Sequence, residues 1–123
     1  MVRNSLEGKV TVITGGGSGI GEAICKKFTA CGANVIIIDT NEIEGQRVAQ
    51  ETNAYYLNCD ISDPKSVQET FKKIESIHGF IEILINNAGI AHIGKITETS
   101  LEDFDKIMNV NVRGSYLCIK ESI

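Results

Sequence analysis

The chain alternates between short apolar runs and longer segments in which apolar residues return every three or four positions. Val10-Thr-Val-Ile13 runs into Thr14 and a cluster of glycines, as a buried strand feeding a tight turn would. After Gly19, the residues Ile20, Ala23, Ile24, Phe28 and Cys31 mark one face of a helix that Gly32 should stop. Val35-Ile-Ile-Ile38 is β-branched throughout and predicts a second strand covered on both faces, ending on Asp39. A polar helix over 41–52 comes next, then a third strand over 54–59, closed by Asp60. Ser62-Asp63-Pro64 opens another helix, with a capping side chain ahead of a proline that needs no amide partner in the first turn. Val67, Phe71, Ile74 and Ile77 give that helix its apolar face, and Gly79 ends it. A fourth strand over 81–85 runs into Asn86-Asn-Ala-Gly89. Ser100 with Asp103 reads as a capping box. Leu101, Phe104, Ile107, Met108, Val112, Tyr116 and Ile119 then continue a helical pattern to the end of the chain.

Strands alternating with helices describe βαβ units, and hence an α/β fold with a doubly wound parallel sheet and right-handed crossovers. The expected strand order is 3-2-1-4. No repeat, low-complexity segment or Pro/Ser-rich linker interrupts the pattern, so residues 1–123 are expected to form one domain.

Composition narrows the partners. With 42% hydrophobic and 23% charged residues the chain falls in the globular range rather than the disordered one. Sixteen acidic against twelve basic residues give a net charge of −4, which argues against nucleic acid or an anionic membrane as partner. No apolar run approaches a membrane span and the first residues hold no apolar leader core, so a soluble, cytoplasmic protein is expected. Cys25, Cys31, Cys59 and Cys118 show no Cys-x-x-Cys spacing and lie in apolar periodic segments, as reduced core cysteines do. His78 and His92 lack a second ligand at helical or hairpin spacing, so they read as helix-end or loop histidines and no metal site is expected.

The segment Thr14-Gly-Gly-Gly-Ser-Gly-Ile-Gly21 places glycines where the first strand hands over to the first helix. The backbone can turn sharply there, and amides at the helix N-terminus offer an anion site for a pyrophosphate. The common Gly-x-Gly-x-x-Gly spacing fails through Gly17 and Gly19, because Glu22 occupies its third position; no Gly-Lys-Ser/Thr follows, so it is not a P-loop. What fits is Thr-Gly-x-x-x-Gly-x-Gly. Asp39 lies twenty residues beyond Gly19 at the end of the second strand, where a carboxylate can accept hydrogen bonds from both adenosine ribose hydroxyls. It would repel a 2′-phosphate, and none of Ser18, Thr40 and Asn41 is basic, so NAD is favoured over NADP. The alternative for Asp39 is a plain N-cap of the following helix.

The glycine pattern, Asp39, Asp60, Asn86-Asn-Ala-Gly89 and Asn109-Val-Asn-Val-Arg-Gly114, in that order and spacing, resemble the N-terminal half of a short-chain dehydrogenase/reductase. The resemblance implies a Rossmann-type fold and an NAD-dependent oxidoreductase moving a hydride between an alcohol and a ketone. By position it assigns Gly15, Ser18, Gly19, Ile20 and Gly21 to the pyrophosphate cradle, and Asp60 with Ile61 to the neighbourhood of the adenine. Asn87, Ala88 and Gly89 are assigned to the wall of the cofactor site. Asn111 matches the active-site asparagine that holds a water in the proton relay; a mid-helix asparagine bonding its local backbone at a kink is the alternative, and Asn109 competes for either role.

The resemblance also implies a serine, and a Tyr-x-x-x-Lys pair placed well beyond that asparagine, after a further strand. Tyr116 and Lys120 satisfy the spacing but lie too close to Asn111, and Tyr116 falls at an aromatic core position of the family. The chain is thus expected to be truncated after the fourth strand and following helix, and inactive alone. The Ile83–Ile85 strand would be an apolar edge, and the last helix would favour a homo-oligomer or self-association. A non-catalytic NAD-binding or protein-pairing fragment is the alternative function. Residues 90–99 are expected to form one wall of a substrate pocket whose ligand the composition does not name.

Overall fold

A computed structural model describes residues 6–90 and 94–123; His92, and part of the expected pocket wall over 90–99, lie outside the described residues. The elements follow the order β1 (Val10–Thr14), α1 (Gly19–Ala30), β2 (Asn34–Asp39), α2 (Glu42–Thr52), β3 (Tyr55–Asn58), α3 (Pro64–His78) and β4 (Ile83–Ile85). A 3₁₀ turn at Ile96–Glu98 leads to α4 (Leu101–Met108), a π-helical turn (Asn109–Gly114) and α5 (Ser115–Ser122). All strand pairs are parallel in the order β3-β2-β1-β4, the order the pattern predicts. The register pairs Thr14 with Ile38 and Asp39 with Asn58, so the carboxyl ends of β1, β2 and β3 come out along one rim.

Alternation along the strands divides the core into two layers. Val10, Val12, Ile36 and Ile38 pack with Val67, Phe71 and Ile74 of α3 and Cys118 of α5. Ile13, Val35 and Ile37 face Cys25 of α1 and Val48 and Ala49 of α2. Asp63 caps α3 by accepting from the Lys65 amide, with Pro64 in the first turn, and Ser100 caps α4 by accepting from the Asp103 amide. His78 closes α3, in hydrogen-bond contact with Asn34 at 3.3 Å and edge-on to Tyr55.

Several helix faces differ from the periodicity reading. In α1 the buried positions are Gly21 and Cys25, with Ile24 and Phe28 partly covered, whereas Ile20 is 74% exposed and Ala23 also faces out. The helix is seated through its smallest residue, which hydropathy does not flag. Ile77 is exposed beyond the buried run of α3, and Cys31, just past α1, is only partly buried. The expected unbroken terminal helix contains the π-helical turn, where an extra residue per turn rotates the buried face. Gly114 and Cys118 face the core, while Leu101, Phe104, Val112, Tyr116 and Ile119 form an exposed apolar row. Tyr116 is 59% exposed rather than a core aromatic.

Helices α1 and α2 are tied by charge. Arg47 reaches Glu22 at 2.9 Å, Glu44 at 2.8 Å and Glu51 at 3.1 Å, and Lys26 adds a 2.9 Å contact to Glu22. The Arg47 hydrogen bond, then that of Lys26, pulls the Glu22 carboxyl down from 4.5 to about 2. A lowered folded-state value means that the contribution of these pairs is complete above pH 4.5 and fades as pH falls from there through about 2. Arg47→Gln is therefore expected to flatten that stretch of an acid-unfolding curve followed by circular dichroism; an unchanged acid limb would show that Glu22 contributes nothing there.

Candidate functional site

The rim at the carboxyl ends of the strands opens into a cleft of about 1020 Å³, at the upper end of the range for small-molecule and cofactor sites. Behind the lining residues Asn87 and Ala88 lies Thr14, whose buried hydroxyl accepts from their amides at 2.9 Å each and faces the Ile85 carbonyl at 3.4 Å. One side chain thus fixes the segment after β4 to the end of β1. Gly15 follows at φ +67°, its amide donating to Ile38 and its carbonyl accepting from Asn87 Nδ2 at 3.1 Å.

The other glycines make room for close approach. A Cβ on Gly21 would stand 2.3 Å from the Gly15 carbonyl oxygen and 2.5 Å from Asn87 Nδ2, so only glycine lets the first turn of α1 sit on the loop. Gly16 lies against Ile37, and Gly17 against the first turn of α2. Gly19 adopts φ +56° with open space above it, and Ser18 stands at the N-cap with its side chain unused for capping. The unpaired first-turn amides of α1 and the free space over Gly19 suit the oxygens of a phosphate.

Asp39 lines the cleft at the end of β2. Its Oδ2 accepts from the Gly17 amide at 3.1 Å and its Oδ1 from the Asn41 amide at 2.9 Å. The capping of α2 belongs to Asn41, whose side chain accepts from Glu44, so Asp39 instead joins the glycine loop to the turn after β2. Asp60 accepts from the Ser62 amide and hydroxyl at 3.0 and 2.6 Å. Ile61 beside it is buried, and a Cβ on Gly114 would come within 2.8 Å of it.

Of the residues singled out from sequence, Gly15, Ser18, Asp39, Asp60, Ile61, Asn87, Ala88 and Gly89 line the cleft; Gly19, Ile20, Gly21 and Asn111 do not. Asn111 sits in the π-helical turn and pairs with the Ile90 backbone in both directions, accepting from its amide and donating to its carbonyl at 2.8 Å each. The bonds go to a distant segment rather than to the local helix, while Asn109 faces the cleft. Sequence reading missed the α4 wall: Glu102, Asp105 and Lys106 recur at helical spacing on the cleft side, in line with Asn109 of the following turn. That polar stripe was the available signal.

The three buried thiols are poor nucleophiles. Burial pushes Cys25 and Cys59 up and takes Cys118 to about 12, so they stay protonated at neutral pH. Among the described residues no cluster of three or more His, Cys, Asp or Glu could hold a metal ion, and no helix is long and apolar enough to cross a membrane.

Known proteins match this chain along nearly its whole length. Short-chain dehydrogenase reductase 5 of Arabidopsis thaliana is 41% identical over 121 residues, 95% of this chain and 47% of that protein. An uncharacterized oxidoreductase of Thermotoga maritima is 36% identical, over 92% of this chain and 46% of its own length. The crystal structure of 3-ketoacyl-(acyl-carrier-protein) reductase from Brucella melitensis complexed with NADH superposes with a TM-score of 0.94 at 43% identity, covering 97% of this chain and 50% of that one. The chain therefore spans about half the length of the curated relatives it matches. The family model described as short chain dehydrogenase matches residues 9–123, and the chain belongs to that family of oxidoreductases.

Proposed function

We propose that residues 1–123 form the dinucleotide-binding domain of an NAD(H)-dependent oxidoreductase that interconverts alcohols and ketones. The observation that carries this reading is Asp39, held on the cleft by the Gly17 and Asn41 amides at the end of β2. A carboxylate so placed suits a ribose diol and repels a 2′-phosphate. The lining adds three further acids, Asp60, Glu102 and Asp105, against Lys106 as its one cation among the described residues, which also disfavours NADP. The NADH in the Brucella reductase supports a nicotinamide dinucleotide. Gly15, Ser18, Gly19, Ile20 and Gly21 would hold the pyrophosphate, Asp60 and Ile61 the adenine end, and Asn87, Ala88 and Gly89 the inner wall. Asn111 takes the active-site asparagine position, where its pairing with Ile90 steadies the segment that ends this wall.

Bound NAD supplies the hydride-accepting nicotinamide; the chain's own residues bind and orient it. Tyr116 and Lys120 are exposed, and neither lines the cleft, which supports nucleotide binding without turnover by these residues alone. The exposed apolar row on α4 and α5 favours a second property, self-association in a cytoplasmic setting, which sedimentation velocity would read as a mass above that of the monomer. Calorimetric titration is expected to show NAD binding and NADP at least about tenfold weaker, from like-charge repulsion at Asp39. With secondary alcohols no reduced cofactor should accumulate. Binding of neither nucleotide would sink the proposal, and turnover would refute its non-catalytic part.

A further inference from the structure

Tyr56 lies on β3, opposite Ile37 of β2, with its side chain in the layer beneath α1 and α2. Its hydroxyl donates to the Asp39 carbonyl at 2.8 Å, where the competing bond from the Cys59 amide is long at 3.4 Å. Asn58 supports the arrangement, its Nδ2 lying 3.3 Å from the Tyr56 hydroxyl and 3.4 Å from the Thr40 carbonyl. Above the ring sits Gly45 of α2, so close that a Cβ there would fall 2.2 Å from ring Cε1. Above Gly45 sits Gly17, whose own Cβ would fall 3.1 Å from the Gly45 nitrogen and 2.9 Å from Asp39 Oδ2. Ring, α2 backbone and glycine loop thus touch in succession, and the Asp39 carboxylate is held by the Gly17 amide of the loop and the Asn41 amide at the N-cap of α2. Burial raises the Tyr56 phenol above its ordinary value, so it remains a donor at neutral pH.

We propose that Tyr56 is a positioning residue for nucleotide selection: through the Asp39 carbonyl and Gly45 it fixes where the Asp39 carboxylate stands, and so sets the preference between a free and a phosphorylated 2′-ribose position. This rests on the reading of the cleft as a dinucleotide site. The ring sets the height of α2 over the sheet and the hydroxyl sets the twist of the turn after β2. Phenylalanine keeps the first and removes only the second.

Tyr56→Phe, titrated with NAD and NADP by calorimetry, is expected to lose roughly three- to tenfold in NAD affinity, the loss of one hydrogen bond's worth of positioning. NADP affinity should hold or rise, because a displaced carboxylate repels its phosphate less. The ratio is the readout that a purely structural role would not move, since general loosening weakens both nucleotides together. An unchanged ratio in Tyr56→Phe, beside an unmodified chain that prefers NAD, would overturn this inference and leave the dinucleotide reading standing. Failure of the unmodified chain to bind either nucleotide would overturn both.

Discussion

Thr14→Val will destabilise the chain by roughly 1–3 kcal/mol, although valine is nearly the same size and a good strand former. The site is 1% exposed, and its hydroxyl is the partner of two amides, Asn87 and Ala88. Valine leaves the Ala88 amide unmet and the Asn87 amide with only the Ile85 carbonyl, at 3.1 Å, and an unmet buried amide costs roughly 1–3 kcal/mol. That is a large share of a domain stability of about 5–15 kcal/mol. Thr14→Ser keeps the oxygen and should cost only about 1 kcal/mol, for the lost methyl. Urea unfolding followed by circular dichroism separates the two; a valine variant as stable as the serine variant would show that the hydroxyl does not hold the Asn87–Ala88 segment. The functional consequence runs through the same atoms, because the segment they hold is the inner wall of the cleft.

Gly21→Ala should cost about 2 kcal/mol or more in spite of alanine's better helix propensity. The added methyl would stand 2.3 Å from the Gly15 carbonyl oxygen, and that backbone cannot swing aside as a flexible side chain would. Relief requires α1 to lift off the loop, moving the amides that face the phosphate site, so NAD affinity should fall with stability. Gly19→Ala is the useful contrast. It meets nothing within 4 Å but carries φ +56°, so its cost is conformational strain of roughly 1–2 kcal/mol. A Gly21→Ala variant that melts at or above the temperature of the unmodified chain would contradict the close approach of helix and loop.

The architecture was legible because its signals are local and strong. Val35–Ile38 could only be a covered strand, and Gly32 and Gly79 ended helices where expected. That Asp39 would line the cleft was legible for the same reason: it terminates an unmistakable strand at a fixed distance from the glycine loop. What escaped depends on contacts between distant segments. Hydropathy favoured Ile20 over Gly21 for the buried face of α1, although the tight seat on Gly15 selects the residue with no side chain. The π-helical turn has no marker in the apolar pattern, so Tyr116 was assigned to the core when the rotated face buries Cys118 instead. Asn111 was legible as a polar residue out of place in a helix, but its partner Ile90 lies twenty-one residues away. Tyr56 looked like any strand aromatic until the fold put its hydroxyl on the Asp39 carbonyl.

The central claim, that the rim of β1, β2 and β3 with the segment after β4 is one dinucleotide site, is tested most directly by amide chemical-shift mapping. NAD would be added to the isotopically labelled 123-residue chain. The expected perturbations fall on Gly15 to Gly21, Asp39, Thr40, Asp60, Ile61 and Asn87 to Gly89, and leave the exposed row of Phe104, Tyr116 and Ile119, none of which lines the cleft, unmoved. Perturbations confined to that row, or none at saturating NAD, would contradict it.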